Sequence, residues 1–107
     1  MIANLSDRRF IFYSERVNLR KSFSGLFLEV KRSGLLDLFY DNVGIIFINR
    51  RGNMFKCIYW ENNSLAIWHK QLVQGTFKVK KYPKESISFQ DLLMLIHGFI
   101  PPENRLN

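Results

Sequence analysis

Nine carboxylates, two histidines and one cysteine are the residues from which catalysis or metal binding would have to be built in this 107-residue chain. Phosphodiester chemistry commonly gathers several carboxylates around two divalent ions. Here Asp7, Glu15, Glu29, Asp37, Asp41, Glu61, Glu85, Asp91 and Glu103 fall mostly on expected turns, termini and helix surfaces, and their spacing does not suggest convergence. A structural zinc site needs about four Cys, His or carboxylate ligands at short spacing. Cys57, His69 and His97 stand too far apart to supply them. A tyrosine-nucleophile nuclease would want a close histidine pair, which is absent, and the six glycines are scattered rather than gathered into a phosphate loop. Cys57 lies among Met54, Phe55 and Ile58, a setting for a buried thiol rather than a nucleophile. No enzymatic activity and no cofactor are therefore expected.

What remains is basic and aromatic. Sixteen lysines and arginines face nine acids, giving a formal net charge of +7 and a pI near 9.9. That excess on so short a chain favours a polyanionic partner. Net charge by itself leaves DNA, RNA, an acidic protein and an anionic membrane surface open. The candidate phosphate-contacting residues are Arg20 and Lys21, then Arg50 and Arg51 at an expected hairpin tip. Lys56 and Lys70 on expected strands and the run Lys78, Lys80, Lys81 and Lys84 complete the set. Exposed cations of this kind release counterions from a nucleic-acid backbone and give affinity with little base reading. Tyr59, Trp60 and Trp68 could stack bases, but on a β-meander such rings more often pack as core or cross-strand pairs.

These residues need elements to position them. Arg9 to Tyr13 is short, aromatic and β-favouring, and reads as a first strand. From Asn18, Leu19, Phe23, Leu26, Phe27 and Val30 recur at helical spacing, with Asn18 as N-cap and Gly34 as stop. Arg20, Ser24 and Lys31 border that stripe, while Lys21 and Arg32 lie further round, so the wet side of the helix is basic. Leu35 to Asn42 reads as a connector with room for one helical turn. Val43 to Asn49, Met54 to Trp60 and Leu65 to Leu72 form three strands, joined by Arg50-Arg51-Gly52-Asn53 and Glu61-Asn62-Asn63-Ser64. Thr76 to Tyr82 alternates, Phe77 and Val79 against Lys78 and Lys80, as a fourth run. Ser88 with Asp91 caps a second helix carrying Leu92, Leu93, Leu95, Ile96 and Phe99, stopped by Gly98 and Pro101-Pro102.

The expected fold is α+β, an antiparallel β-meander of about four to five strands with two amphipathic helices packed on it. One domain spans 1–107, its ordered core about 8–99 and its C-terminal tail frayed. The longest apolar runs, Ile45 to Ile48 and Leu92 to Ile96, cannot span a bilayer, and no signal-peptide pattern precedes them, so a cytoplasmic protein is expected.

In order along the chain, Val17-Asn18-Leu19-Arg20-Lys21-Ser22-Phe23-Ser24-Gly25-Leu26, Ile46-Phe47-Ile48-Asn49-Arg50-Arg51 and Lys56-Cys57-Ile58-Tyr59-Trp60-Glu61 form a specific combination. Trp68-His69-Lys70-Gln71-Leu72 and Gly75-Thr76-Phe77 continue it. Together they resemble the small accessory protein of sixty-six-type bacterial insertion sequences, the TnpB or second-open-reading-frame-like family, which is distinct from the RNA-guided nuclease of the same name. The likeness covers roughly Arg9 to Gly98. It departs from the family's usual residues at Asn18, Ser22, Ser24 and Gly52. The resemblance implies a supporting role in transposition beside a separate transposase that carries the catalytic carboxylates. Two expectations follow. In one, the basic residues touch DNA backbone phosphates. In the other, the chain is a protein scaffold that binds the transposase through exposed aromatics and the helix around Phe27 and Leu28, the latter lying off the main apolar stripe.

Overall fold

The computed structural model describes residues 5–20, 23–77 and 83–97. Among them, the β-branched and aromatic segments form five strands and the 3.6-periodic segments three helices. In chain order these are β1 (Arg9–Phe12), α1 (Phe23–Arg32), α2 (Leu36–Tyr40), β2 (Val43–Ile48), β3 (Met54–Glu61), β4 (Ser64–Gln71), β5 (Ile87–Ser88) and α3 (Phe89–Ile96). The strands make one sheet in the order β4-β3-β2-β1-β5.

The expected meander is present. β2 pairs antiparallel with β3 and β3 with β4, the latter in unbroken register from Met54↔Gln71 to Glu61↔Ser64. Its tight turns use the residues able to adopt positive φ: Gly52 at 77°, and Asn62 and Asn63 at 48° and 61°. The sheet as a whole is mixed rather than antiparallel throughout, because β1 runs parallel to β2, from Arg9↔Val43 to Phe12↔Ile46. The long connection holding α1 and α2 allows this, since a parallel pair requires a crossover and cannot be closed by a hairpin. β5, which closes the other side of β1 with two residues, had no signal in the sequence pattern beyond the helix cap that follows it.

β2 is buried at every position, as expected of a central strand covered on both faces. Val43, Ile45 and Phe47 point to one face and pack with Leu26 and Val30 of α1 and Phe39 of α2. Ile46 and Ile48 point to the other, with Phe10, Phe12, Phe55, Cys57, and Leu92 and Ile96 of α3. The helices thus lie on opposite sides of the sheet, and there are three rather than two because the Leu35 to Asn42 connector folds its helical turn as α2.

The first helix is shorter than its periodicity suggests. Val17 forms a parallel bridge to Asn49, and the Asn18 side chain accepts the Arg20 N–H at 3.0 Å in a local turn, so the chain is still following the sheet where the helix was expected to begin. Leu19 is buried ahead of α1 rather than on it, and Phe23 is half exposed. Gly34 does end the helix region, at φ 73°. The second expected cap also holds, since Ser88 Oγ accepts the Asp91 N–H at 3.1 Å. The helix-stop signals at Gly98 and Pro101-Pro102, and the lysine run from Lys78 to Lys81, lie outside the described residues. Phe77, at the start of that run, is buried and donates its N–H to the Gly52 carbonyl.

Candidate nucleic-acid interface

The candidate site is built around the β2–β3 turn. Asn49 organises it: its side-chain carbonyl accepts N–H groups from Asn53 at 3.0 Å and Met54 at 3.1 Å, while its amide donates to Asn53 Oδ1 at 2.7 Å. The backbone is thereby held by the turn's own asparagines, and Arg50 and Arg51 on it are exposed. The neighbouring segment is brought alongside by the Val17 to Asn49 bridge. Arg16 NH1 donates to the Arg50 carbonyl at 3.0 Å, and a Cβ at position 52 would stand 3.1 Å from the same nitrogen. Glycine at 52 therefore serves both the positive φ of the turn and the approach of Arg16.

Strand register brings the remaining cations to this end of the sheet. Lys56 lies two residues into β3, and Lys70 stands opposite Phe55 near the end of β4. Lys70 is half-buried and adjoins exposed His69 on the same strand. Lys56 reaches across to donate its ammonium to the Leu19 carbonyl at 2.8 Å, which ties it to the segment carrying exposed Arg20. Arg16, Arg20, Arg50, Arg51, Lys56 and Lys70, scattered over more than fifty positions in sequence, thus gather at one end of the sheet. The opposite end holds Asp41, just before β2, and Glu61 at the end of β3, together with Arg8 and Arg9, while Glu15 adjoins Arg16. The cations gathered at the turn raise positive potential where it can meet a polyanion.

Not every candidate presents its charge at this site. Lys56, with its ammonium engaged by a carbonyl, braces the site more than it offers itself to phosphate. Lys84 instead lines a cleft of about 480 Å³ with Ile11, Tyr13, Ser14, Ser33 and Leu35. The Tyr13 hydroxyl there donates to Glu29 at 2.9 Å and accepts from Ser33 at 3.1 Å. The Ser33 bond acts to lower the Tyr13 pKa, but burial and the Glu29 carboxylate together outweigh it and raise it. Lys21, Lys78, Lys80 and Lys81 lie outside the described residues.

Arg16 is the residue that sequence reasoning passed over. Nothing in its own neighbourhood distinguishes it, and only the bridge between Val17 and Asn49 places it against a turn 34 residues away. Arg8 was passed over too, and its role is different. It is buried, with its guanidinium 4.9 Å from the centroid of Tyr59 and NH1 3.5 Å from Asn42 Oδ1, so its charge serves the packing at the acidic end. Burial, then Glu61, pushes the Tyr59 hydroxyl pKa up, with Arg8 opposing.

The three aromatic candidates pack against other side chains, with Trp60 and Trp68 remaining half-buried. Tyr59 is buried, Trp60 meets Tyr40 edge-on at 5.0 Å, and Trp68 meets Phe55 edge-on at 4.9 Å. Cys57 is fully buried, and loss of solvation holds its thiol well above the ordinary range, the opposite of what a nucleophile requires. Among the described residues no group of three or more His, Cys, Asp or Glu side chains could hold a metal ion, and no helix is long and apolar enough to cross a membrane.

A family model described as IS66 Orf2 like protein matches residues 8–105. No curated protein and no solved structure gives a significant match.

Proposed function

This chain belongs to the IS66 Orf2-like protein family, whose members are insertion-sequence accessory proteins, and from that premise we propose that it works without catalysis as a DNA-associated module beside the element's transposase. The observation that carries this reading is the gathering of Arg16, Arg20, Arg50, Arg51 and Lys70 at one end of the sheet. Arg50 and Arg51 sit on a turn whose backbone is already fixed by Asn49 and Asn53, so the ordering cost of meeting phosphate is confined to their side chains. Cations presented by a turn suit backbone contact rather than base reading. The module would contribute affinity for element ends or target DNA, and selectivity between sequences would come from its partners.

The test is fluorescence anisotropy of the purified chain on duplex DNA from an element end and on a scrambled duplex, across a salt series. Both duplexes should bind with a steep salt dependence. Replacing Arg50 and Arg51 together by alanine should flatten the slope of log K against log salt by about two, since each lost phosphate contact removes about 0.9. An unchanged slope takes the turn out of the interface, and absence of binding at low salt overturns the proposal.

A second reading is favoured by a separate observation. Phe23 and Leu28 of α1 and Leu38 and Tyr40 of α2 are all more than a third exposed, an apolar surface on the helical face of the sheet. It suits a scaffold that binds the transposase directly. Association that survives nuclease digestion, and is lost in Leu28→Asp, supports this reading. Association abolished by the nuclease refutes it.

A further inference from the structure

The two edges of the sheet differ. β5 closes one with two residues, whereas β4 closes the other with eight. Natural edges of that length are usually blunted by proline, a bulge or inward-pointing charge. β4 has no proline, keeps unbroken register with β3, and carries Lys70 near its end as its one lysine or arginine. Among the described residues no strand pairs with its outer side.

The hydrogen-bond phase of that side follows from one bond. Leu72 N–H donates to the Asn53 carbonyl at 2.8 Å, and the register sets these two residues opposite each other. Even-numbered positions of β4 therefore spend their backbone groups on β3, and Leu65, Ile67 and His69 direct theirs outward. Such a row can receive an antiparallel strand, and β4 is suited to receive itself.

We infer that a second copy of this chain pairs along β4, antiparallel, about a two-fold axis through Ile67. Ile67 then exchanges both backbone bonds with its counterpart, and Leu65 does so with His69 of the second copy on either side. The centre of the seam holds about six N–H···O=C bonds by the antiparallel pattern. The side chains match as well as the backbone. Ile67 meets Ile67 on the α1 face, while on the α3 face Ala66 stands opposite Trp68 of the second copy, a small residue against a large one. All three residues are half-buried in the single chain and would be covered in the pair. Charge selects the direction. Antiparallel pairing sends the two Lys70 side chains to opposite ends of the seam, each facing Ser64, whereas parallel pairing would set like charges side by side. The joined sheet has ten strands and carries an Arg50-Arg51 turn toward each of its two ends, the two separated along the strands by roughly 33 Å or more, since Asn53 lies level with Leu72 and each strand residue spans about 3.3 Å.

The experiment is sedimentation equilibrium of the full chain from 1 to several hundred micromolar, with circular dichroism on every variant. Wild type should double from 12.7 kDa to about 25 kDa as concentration rises. Ile67→Lys sets two ammoniums on the axis and should run as a folded monomer, as should Ile67→Glu. An equimolar mixture of the two should recover the dimer, because only a seam that pairs position 67 with itself brings the opposite charges together. Ile67→Pro removes an outward N–H without removing a bond to β3 and should also be monomeric. A wild-type monomer across the range overturns the inference, as does a dimer that persists in the folded Ile67→Lys variant. Monomeric variants that fail to reassociate on mixing overturn the register.

Discussion

Gly44 is the second residue of the central strand and pairs with Phe10 of β1, and a single added methyl there has no space. A Cβ at position 44 would meet Phe10 Cδ1 at 2.7 Å, Phe10 Cε1 at 2.8 Å and Cys57 Sγ at 2.8 Å. Ordinary contact begins near 3.4 Å, so Phe10 and Cys57 would each have to retreat by more than half an ångström. Neither has room. Both are fully buried, and the Phe10 ring is backed by Phe89 at 5.7 Å, which is itself against Trp68 at 5.6 Å. Overpacking of this kind costs about 1–3 kcal/mol, less roughly 0.5–1 kcal/mol gained by removing glycine's backbone freedom from a strand. Gly44→Ala should therefore lose about 1–2 kcal/mol in urea denaturation, and its Tm should fall by roughly 5–15 °C, given about 4–8 °C per kcal/mol for a domain near this size. The mechanism is tested by a double-mutant cycle. Phe10→Leu removes the obstructing ring atoms, so the double variant should be less destabilised than the sum of the singles by about 0.5 kcal/mol or more. Gly34→Ala is the control, because position 34 has a positive φ but nothing within 4 Å, and it should add independently to Phe10→Leu. A neutral Gly44→Ala, or strict additivity with Phe10→Leu, would refute the packing argument.

Two further outcomes follow from the same structure. Ser88→Ala removes the side chain that caps α3 and should cost about 1 kcal/mol, read as a shifted urea midpoint at unchanged slope. Stability should also decline with alkali from about pH 9. The Cys57 thiol is raised from 9.0 by burial, so above that value the unfolded chain releases a proton that the folded chain keeps, and stability present at lower pH is progressively lost. Cys57→Ala should flatten the stability profile between pH 9 and 10 by up to about 1.4 kcal/mol per pH unit, while an unchanged slope would show the thiol to be solvated in the folded state.

The sequence by itself determined the elements whose signals are local. Short β-favouring runs between polar links marked β3 and β4, the asparagine pair and Gly52 marked their turns, and Ser88 with Asp91 marked the start of α3. Each depends on residues a few positions apart, where backbone sterics and side-chain caps act regardless of what lies across the core. The burial of Cys57 and Tyr59 was legible for a related reason, since apolar residues at strand spacing must cover one face. Residues 8–105 also carry a family pattern strong enough to name the process the chain serves. Three features were decided only by the tertiary structure. The direction of β1 depended on where a long crossover returned the chain, and this long-range pairing has no local signature. The start of α1 was moved because Val17 gains a partner in Asn49 and Leu19 a buried place, which outweighs the helical periodicity that begins at Leu19. The basic end of the sheet exists because the pairing of β1, β2, β3 and β4 brings Arg16, Arg50, Lys56 and Lys70 to one end, Lys56 and Lys70 on opposite faces. Charge count is a property of the chain, but charge placement belongs to the pairing of its strands.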